Sequence, residues 1–121
     1  MKALFYSLLT IIFLSVSALA EDVSIPTAKK LIDEKSVLVV DVRTPEEYAE
    51  GHIEGAKSVN FRGDNFEEEA AKLDREKPIL IHCKSGGRSA KALKTFKKLG
   101  FKKVYHMNAG YDAWVASSTK K

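Results

Sequence analysis

The stretch Ile79-Leu80-Ile81-His82-Cys83-Lys84-Ser85-Gly86-Gly87-Arg88-Ser89-Ala90 narrows what this chain can fold into more than any other. It opens as an apolar strand and bends at Ser85-Gly86-Gly87. It continues as a helix from Ser89 to Leu99, with Ala92, Leu93, Phe96 and Leu99 on one face, Lys97 and Lys98 in the last turn and Gly100 behind. The only cysteine of the 121 residues stands at the junction. There it faces the unpaired N–H groups of a helix N-terminus and the positive end of the macrodipole, and both favour the thiolate. A lone cysteine ending an apolar strand is ordinarily a small buried hydrophobe. Here Ser85-Gly86-Gly87 strips bulk from the loop, so main-chain N–H groups can converge on an anion. Lys84 and Arg88 add positive charge beside it.

The same alternation runs through the chain. Val23-Ser24-Ile25 is expected as a short first strand, followed by a helix that starts near Pro26 with Ala28, Leu31 and Ile32 inward. Val37-Leu38-Val39-Val40-Asp41-Val42 is nearly all apolar, which suits a strand buried on both faces. Thr44-Pro45-Glu46-Glu47 carries a capping box, and Gly51 ends that helix. Lys57 to Phe61 is expected as another strand. Asp64 is expected to open a second capping box with Glu67, with Phe66, Ala70 and Leu73 inward. Val104-Tyr105-His106 reads as the last strand, Asn108 as the cap of a terminal helix bearing Tyr111, Trp114 and Val115, and Ser117 to Lys121 as a frayed end. Strands alternating with helices imply a single α/β domain. Its sheet should be central and mostly parallel, with about five strands and helices on both faces. Ligands of such sheets bind beyond the carboxyl ends of the strands, where Asp41 and Cys83 both fall.

Twenty residues precede this pattern. Lys2 is followed by an almost wholly apolar run, Leu4 to Val16, and then by Ala18-Leu19-Ala20, a small-x-small cleavage site. The run is short for a membrane span. Residues 1–20 are therefore expected to be a signal peptide and residues 21–121 the mature domain, with an uncleaved membrane anchor as the alternative. In an exported chain with one cysteine no internal disulfide can form, so a free thiol in an oxidising compartment asks for a use. The net charge of +4 is mild, and no run of like charge suggests a nucleic-acid arm.

The other candidates each carry a bland alternative. Arg88 is either an ordinary exposed arginine or, closing the loop, an anion ligand or an orienter of the loop. Ser85 and Ser89 either cap the helix or donate a hydroxyl to a bound oxyanion. Asp41, following apolar residues, needs a partner, and Arg43 or loop N–H groups are expected to supply it. His52 is expected to be structural. His82 should point to the side of the strand opposite Cys83, which argues against a Cys-His nucleophile pair. Phe96, Tyr111 and Trp114 read as core. One cysteine and three scattered histidines show no metal-ligand spacing, so no metal or other cofactor is expected.

Four motifs, in order, resemble those of the rhodanese-like domain family. Val40-Asp41-Val42-Arg43-Thr44-Pro45-Glu46-Glu47-Tyr48 is similar to its first signature and Gly51-His52-Ile53-Glu54-Gly55-Ala56 to its second. Cys83-Lys84-Ser85-Gly86-Gly87-Arg88-Ser89 is similar to its active-site loop, and Gly110-Tyr111-Asp112-Ala113-Trp114 to its closing segment. One departure is Ala109, where the family often has a second glycine. In that family the sulfurtransferases count six residues from cysteine to arginine and the phosphatase relatives seven; Cys83 to Arg88 counts six. Inactive members usually lack the cysteine.

The resemblance implies a thiosulfate-type sulfurtransferase. Cys83 would take a sulfane sulfur from a small sulfur-containing anion as a persulfide and pass it to cyanide, a thiol or a protein acceptor. Lys84, Ser85, Gly86, Gly87 and Arg88 would bind substrate, with Asp41, Arg43 and Ser89 in support. Together with the signal peptide it implies a small periplasmic monomer with no nucleic-acid partner and no membrane insertion after cleavage. Two alternatives stay open: a persulfide-carrying or redox-sensing module, and a small cysteine phosphatase or arsenate reductase. Mass spectrometry of the exported protein is expected to find Glu21 at the N-terminus; a chain beginning at Met1 would refute cleavage.

Overall fold

The computed structural model describes residues 20–118. The expected signal segment, Ala20 apart, lies outside them, as does the end of the tail from residue 119. The elements are β1 (Glu21–Asp22), α1 (Ile25–Asp33), β2 (Leu38–Asp41), α2 (Pro45–Glu50), β3 (Lys57–Ser58), α3 (Phe66–Ala71), β4 (Ile79–His82), α4 (Gly87–Lys98), β5 (Val104–His106) and α5 (Gly110–Ser118). The five strands form one sheet in the order β1-β5-β4-β2-β3. Every pairing is parallel, so the expected "mostly parallel" sheet is wholly so among the described residues.

β4 is buried along its whole length, as its unbroken apolar run requires. One face of the sheet packs Val40, Ile79, Ile81 and Cys83 against Phe66 and Ala70 of α3 and Ala92 and Phe96 of α4. The other packs Val39, Leu80 and Met107 against Ala28 of α1, with Tyr48, Tyr111 and Trp114 around the margin. Phe96 is wholly buried and sits edge-on to both Phe66 and Phe101, with ring centroids 5.8 Å and 5.2 Å away. No helix of the described residues is long and apolar enough to cross a membrane.

Several boundaries differ from the sequence expectation, each for a local reason. The first strand is Glu21–Asp22 rather than Val23–Ile25, because Ser24 is the N-cap of α1, its hydroxyl accepting from the Thr27 N–H. β3 shrinks to two residues, paired to Val40 and Asp41. Asp64 opens no capping box: α3 begins at Phe66 behind Asn65, whose side chain makes no cap bond. Asn108 lies in the turn before α5, which starts at Gly110. Ser117 and Ser118 are helical, their hydroxyls donating back to the carbonyls of Trp114 and Val115. The box at Thr44 forms as expected, with the Thr44 hydroxyl accepting from Glu47 N–H and Glu47 Oε1 accepting from Thr44 N–H.

Replacing Phe96 by Ala removes the ring that joins α3 and α4 to the sheet and leaves a cavity. A loss of about 3–5 kcal/mol is expected, read as a lowered urea midpoint at unchanged m.

Candidate active site at the carboxyl edge of the sheet

The parallel register lines up the ends of the strands. Asp41 pairs with His82, Ile81 with His106, and His106 with Asp22. Cys83 follows directly on β4. Its sulfur, on a residue 1% exposed, accepts from the Gly86 N–H at 3.1 Å and lies 3.3 Å from Ser89 Oγ. Burial pushes the thiol up. The Ser89 hydroxyl and the N–H groups of Ser89, Gly86 and Ser85 outweigh it, and the net direction is down from the ordinary value of 9.0.

Two glycines let this loop close. Gly86 has φ +102° and precedes the first residue of α4, so the helix starts two residues before the expected Ser89. A Cβ there would strike the Asn108 carbonyl oxygen. Gly110 has φ +85°, and a Cβ on it would strike the Lys84 carbonyl and the Ser85 N–H. This close approach brings the first turn of α5 onto the loop. Tyr111 N–H donates to the Cys83 carbonyl at 2.8 Å and Asp112 N–H to the Lys84 carbonyl at 3.2 Å.

Arg88 forks onto Glu47, Nη1 to Oε1 at 2.6 Å and Nη2 to Oε2 at 3.0 Å, tying the loop to α2. That bond, ahead of the counteracting burial and the Thr44 bonds, holds the Glu47 carboxyl down at about 2. Asp41 and Arg43 form a buried pair. Arg43 Nη2 donates to Asp41 Oδ2 at 2.7 Å and its main-chain N–H to Oδ1 at 3.0 Å, so both expected kinds of partner are used. Nη2 also reaches the Gly51 carbonyl at 2.7 Å, and the guanidinium lies 4.1 Å from the centre of the Tyr111 ring. Asp41 is therefore consumed in the interior and does not share an open crevice with Cys83. The groups that do line the cleft beside the loop, about 360 Å³, include Arg43, Glu47, Glu50, Lys84, Tyr111 and Asp112.

Ser85 and Lys84 are exposed, and neither serine caps α4, whose N-cap is Gly86. His82 turns away from the sulfur, as strand alternation requires. Its Nδ1 bonds the Cys83 carbonyl at 3.0 Å and its ring stacks near Tyr111. Burial, the leading cause, pushes it below the ordinary 6.5 and keeps it neutral. His52 is structural, bonding the Tyr48 carbonyl at 2.8 Å and lying flat on the Tyr48 ring.

Residues 24–117 match the family described as "Rhodanese-like domain". The chain belongs to the rhodanese-like domain family. It is similar to the thiosulfate sulfurtransferase GlpE of Pseudoalteromonas translucida, 31% identical over 82% of this chain and 92% of that one. It is also similar to the putative sulfur carrier protein YrkF of Bacillus subtilis, 36% identical over 80% of this chain and 52% of that protein. Among solved structures it overlays the rhodanese-like domain protein of Staphylococcus aureus with a TM-score of 0.69 at 29% identity, covering 78% of this chain and 90% of that one.

In this rhodanese-like domain Ala109 is accommodated without strain, because the left-handed backbone of the turn falls on Gly110 alone. Phe96 is core as expected, and Trp114 packs on the second core, but Tyr111 also supports Arg43 and lines the cleft. Two residues of the site carry no sequence signal for their place in it, Glu47 beyond its cap and His106. Glu47 was visible as a cap partner; its pairing with Arg88, 41 positions away, was not. Nothing local marked His106, whose Nε2 lies 2.7 Å from Ser89 Oγ.

The Glu47 carboxyl gives a pH test. Its folded value lies below the ordinary 4.5, so its contribution is full above that pH and is lost as pH falls toward about 2. The stability gap between wild type and Glu47→Gln is expected to stay constant above about pH 5.5 and to close below it, as read by thermal melts across pH.

Proposed function

We propose that this member of a sulfurtransferase family is a thiosulfate-type sulfurtransferase working through a Cys83 persulfide. One observation carries the reading: the sulfur of Cys83 faces the Gly86 N–H and the Ser89 hydroxyl inside a six-residue cysteine-to-arginine loop. Such a ring of donors suits a negative sulfur, first the thiolate and then the terminal sulfur of a persulfide. The thiolate attacks the outer sulfur of thiosulfate. An S–S bond forms on Cys83 as the donor's S–S bond breaks, and sulfite leaves with the electron pair. A thiol or cyanide then attacks the outer sulfur, and Cys83 is released as thiolate. Two half-reactions through a covalent intermediate give ping-pong kinetics. Lys84, exposed at the mouth of the cleft, draws the anionic donor in. Arg88, committed to Glu47, orients the loop. Ser85, Gly86 and Gly87 supply the cradle, while Asp41 and Arg43 brace the end of β2.

Likeness to a protein named a putative sulfur carrier supports a second reading, delivery of the persulfide sulfur to a protein acceptor. In both readings residues 1–20 are an export signal and the mature monomer works in the periplasm.

Protein incubated with thiosulfate and then weighed is expected to gain one sulfur atom, discharged by cyanide or a thiol; Cys83→Ser is expected to gain none. Wild type that never gains sulfur, or that turns over an aryl phosphate faster than it transfers sulfur, would reject the reading. Stable loading with discharge to a protein acceptor but not to small thiols or cyanide selects delivery.

A further inference from the structure

Asp22, His106, Ser89 and Cys83 form a line of short polar contacts that the sulfur-transfer scheme leaves unused. Asp22 of β1 and His106 of β5 are register partners, and Asp22 Oδ1 lies 3.0 Å from His106 Nδ1. The opposite ring nitrogen, Nε2, lies 2.7 Å from Ser89 Oγ on α4. Ser89 Oγ in turn lies 3.3 Å from Cys83 Sγ and 3.2 Å from the Gly86 carbonyl oxygen. His106 and Ser89 are buried, whereas the Asp22 side chain is 66% exposed. The line therefore runs from solvent to the sulfur.

Counting hydrogens shows what it can do. A carboxylate only accepts, so His106 Nδ1 carries a hydrogen and donates it to Asp22. In the neutral ring Nε2 is then an acceptor, and the single Ser89 hydroxyl hydrogen turns to it. A thiol at Cys83 completes the set by donating S–H to Ser89 Oγ. Moving each hydrogen one step along breaks the S–H bond and leaves its electron pair on sulfur. Oγ gains that proton and gives its own to Nε2. The products are a thiolate and an imidazolium, and no oxidant or co-reactant is consumed. The same contacts persist with their direction reversed: Nε2–H donates to Oγ, and Oγ–H to the sulfur. Asp22, the charged group facing His106 from β1, then lies against a positive ring. From α4 the group facing His106 is Ser89, which in turn reaches Cys83 at the end of β4; the β4 residue beside His106 in the sheet is the apolar Ile81, and Arg88, on the same turn of α4, is taken by Glu47.

We infer that Asp22, His106 and Ser89 are a proton relay that draws the Cys83 thiol proton to His106 and holds the nucleophile as a thiolate–imidazolium pair bridged by Ser89. Ser89 touches the reacting sulfur. His106 and Asp22 act through it and are positioning residues. The inference rests on Cys83 as the nucleophile of the proposed reaction, but its test needs no sulfur donor.

Because Cys83 is the only cysteine, the pH profile of iodoacetamide alkylation of the full chain reads its thiolate alone. Relative to wild type, His106→Phe and Asp22→Asn are expected to slow alkylation at neutral pH, by about tenfold for the histidine, and to move the profile to higher pH. Ser89→Ala is expected to do the same and Ser89→Thr to restore it. His106→Phe added to Ser89→Ala is expected to cause no further loss. Profiles of folded Asp22→Asn and His106→Phe that superimpose on wild type would overturn the relay, as would a His106 effect that persists without the Ser89 hydroxyl. Ring ¹⁵N shifts decide independently of how those variants fold: Nε2 of His106 is expected to be protonated in wild type at neutral pH and bare in Cys83→Ser, and an unchanged ring would overturn the inference. Failure here with thiosulfate loading intact would reject the relay and leave the sulfurtransferase reading standing.

Discussion

The two hydrogen bonds from the start of α5 to the carbonyls of Cys83 and Lys84 are what the rest of the site depends on. In a trans peptide the carbonyl and the following N–H point in opposite directions. Holding the Lys84 carbonyl toward Asp112 therefore turns the Ser85 N–H the other way, to the side of the sulfur, where it helps to lower the Cys83 thiol. Gly86 then presents its own N–H to Sγ at 3.1 Å. The loop turns its N–H groups toward the sulfur because a second segment pins its carbonyls outward. That explains why a residue as remote in sequence as Gly110 must lack a side chain.

The cradle works against burial. The sulfur of a residue that is 1% exposed is in a place that ordinarily keeps a thiol protonated, and burial is the largest single influence on it. Donors from Ser85, Gly86 and Ser89 reverse the sign. This kind of stabilisation is short-range and directional, so it holds only while the loop keeps its shape. The Arg88–Glu47 fork and the buried Asp41–Arg43 pair both serve that end. The first fastens the helix that follows the loop to α2. The second fixes the end of the neighbouring strand and, through the Gly51 carbonyl, the end of α2.

What could be seen in the sequence was what sequence neighbours determine. The apolar runs of β2 and β4, the capping box at Thr44, the turn from Cys83 through the glycines into α4 and the pointing of His82 away from the sulfur follow from spacing within a few residues, and they formed. What failed was either local, where neighbours in the fold moved a boundary or a cap, or distant, where the partner lies far along the chain. Short elements such as β1 and β3 are set by the strands they pair with rather than by their own residues, so Val23–Ile25 and Lys57–Phe61 misled. Asp64 had the right spacing to Glu67 for a box, but the helix starts behind Asn65. Partners far apart in the chain, such as Glu47 for Arg88 and Gly110 for Lys84, left no local signal.

His106 shows the distant kind most clearly. As the third residue of a short apolar strand it reads as a small irregularity, a polar group that a core would hydrogen-bond and forget. Its meaning comes from the parallel register, which sets His106 beside Ile81 and Asp22 beside His106, so that strands β1, β5 and β4 end side by side. The crest of a parallel sheet gathers residues that are far apart in sequence, here 22, 83 and 106, and a helix starting from that crest adds Ser89. A chain of donors and acceptors built this way has no sequence motif of its own, because each link lies on a different element. It can be found only by following hydrogens from one atom to the next, beginning at a sulfur that must lose one.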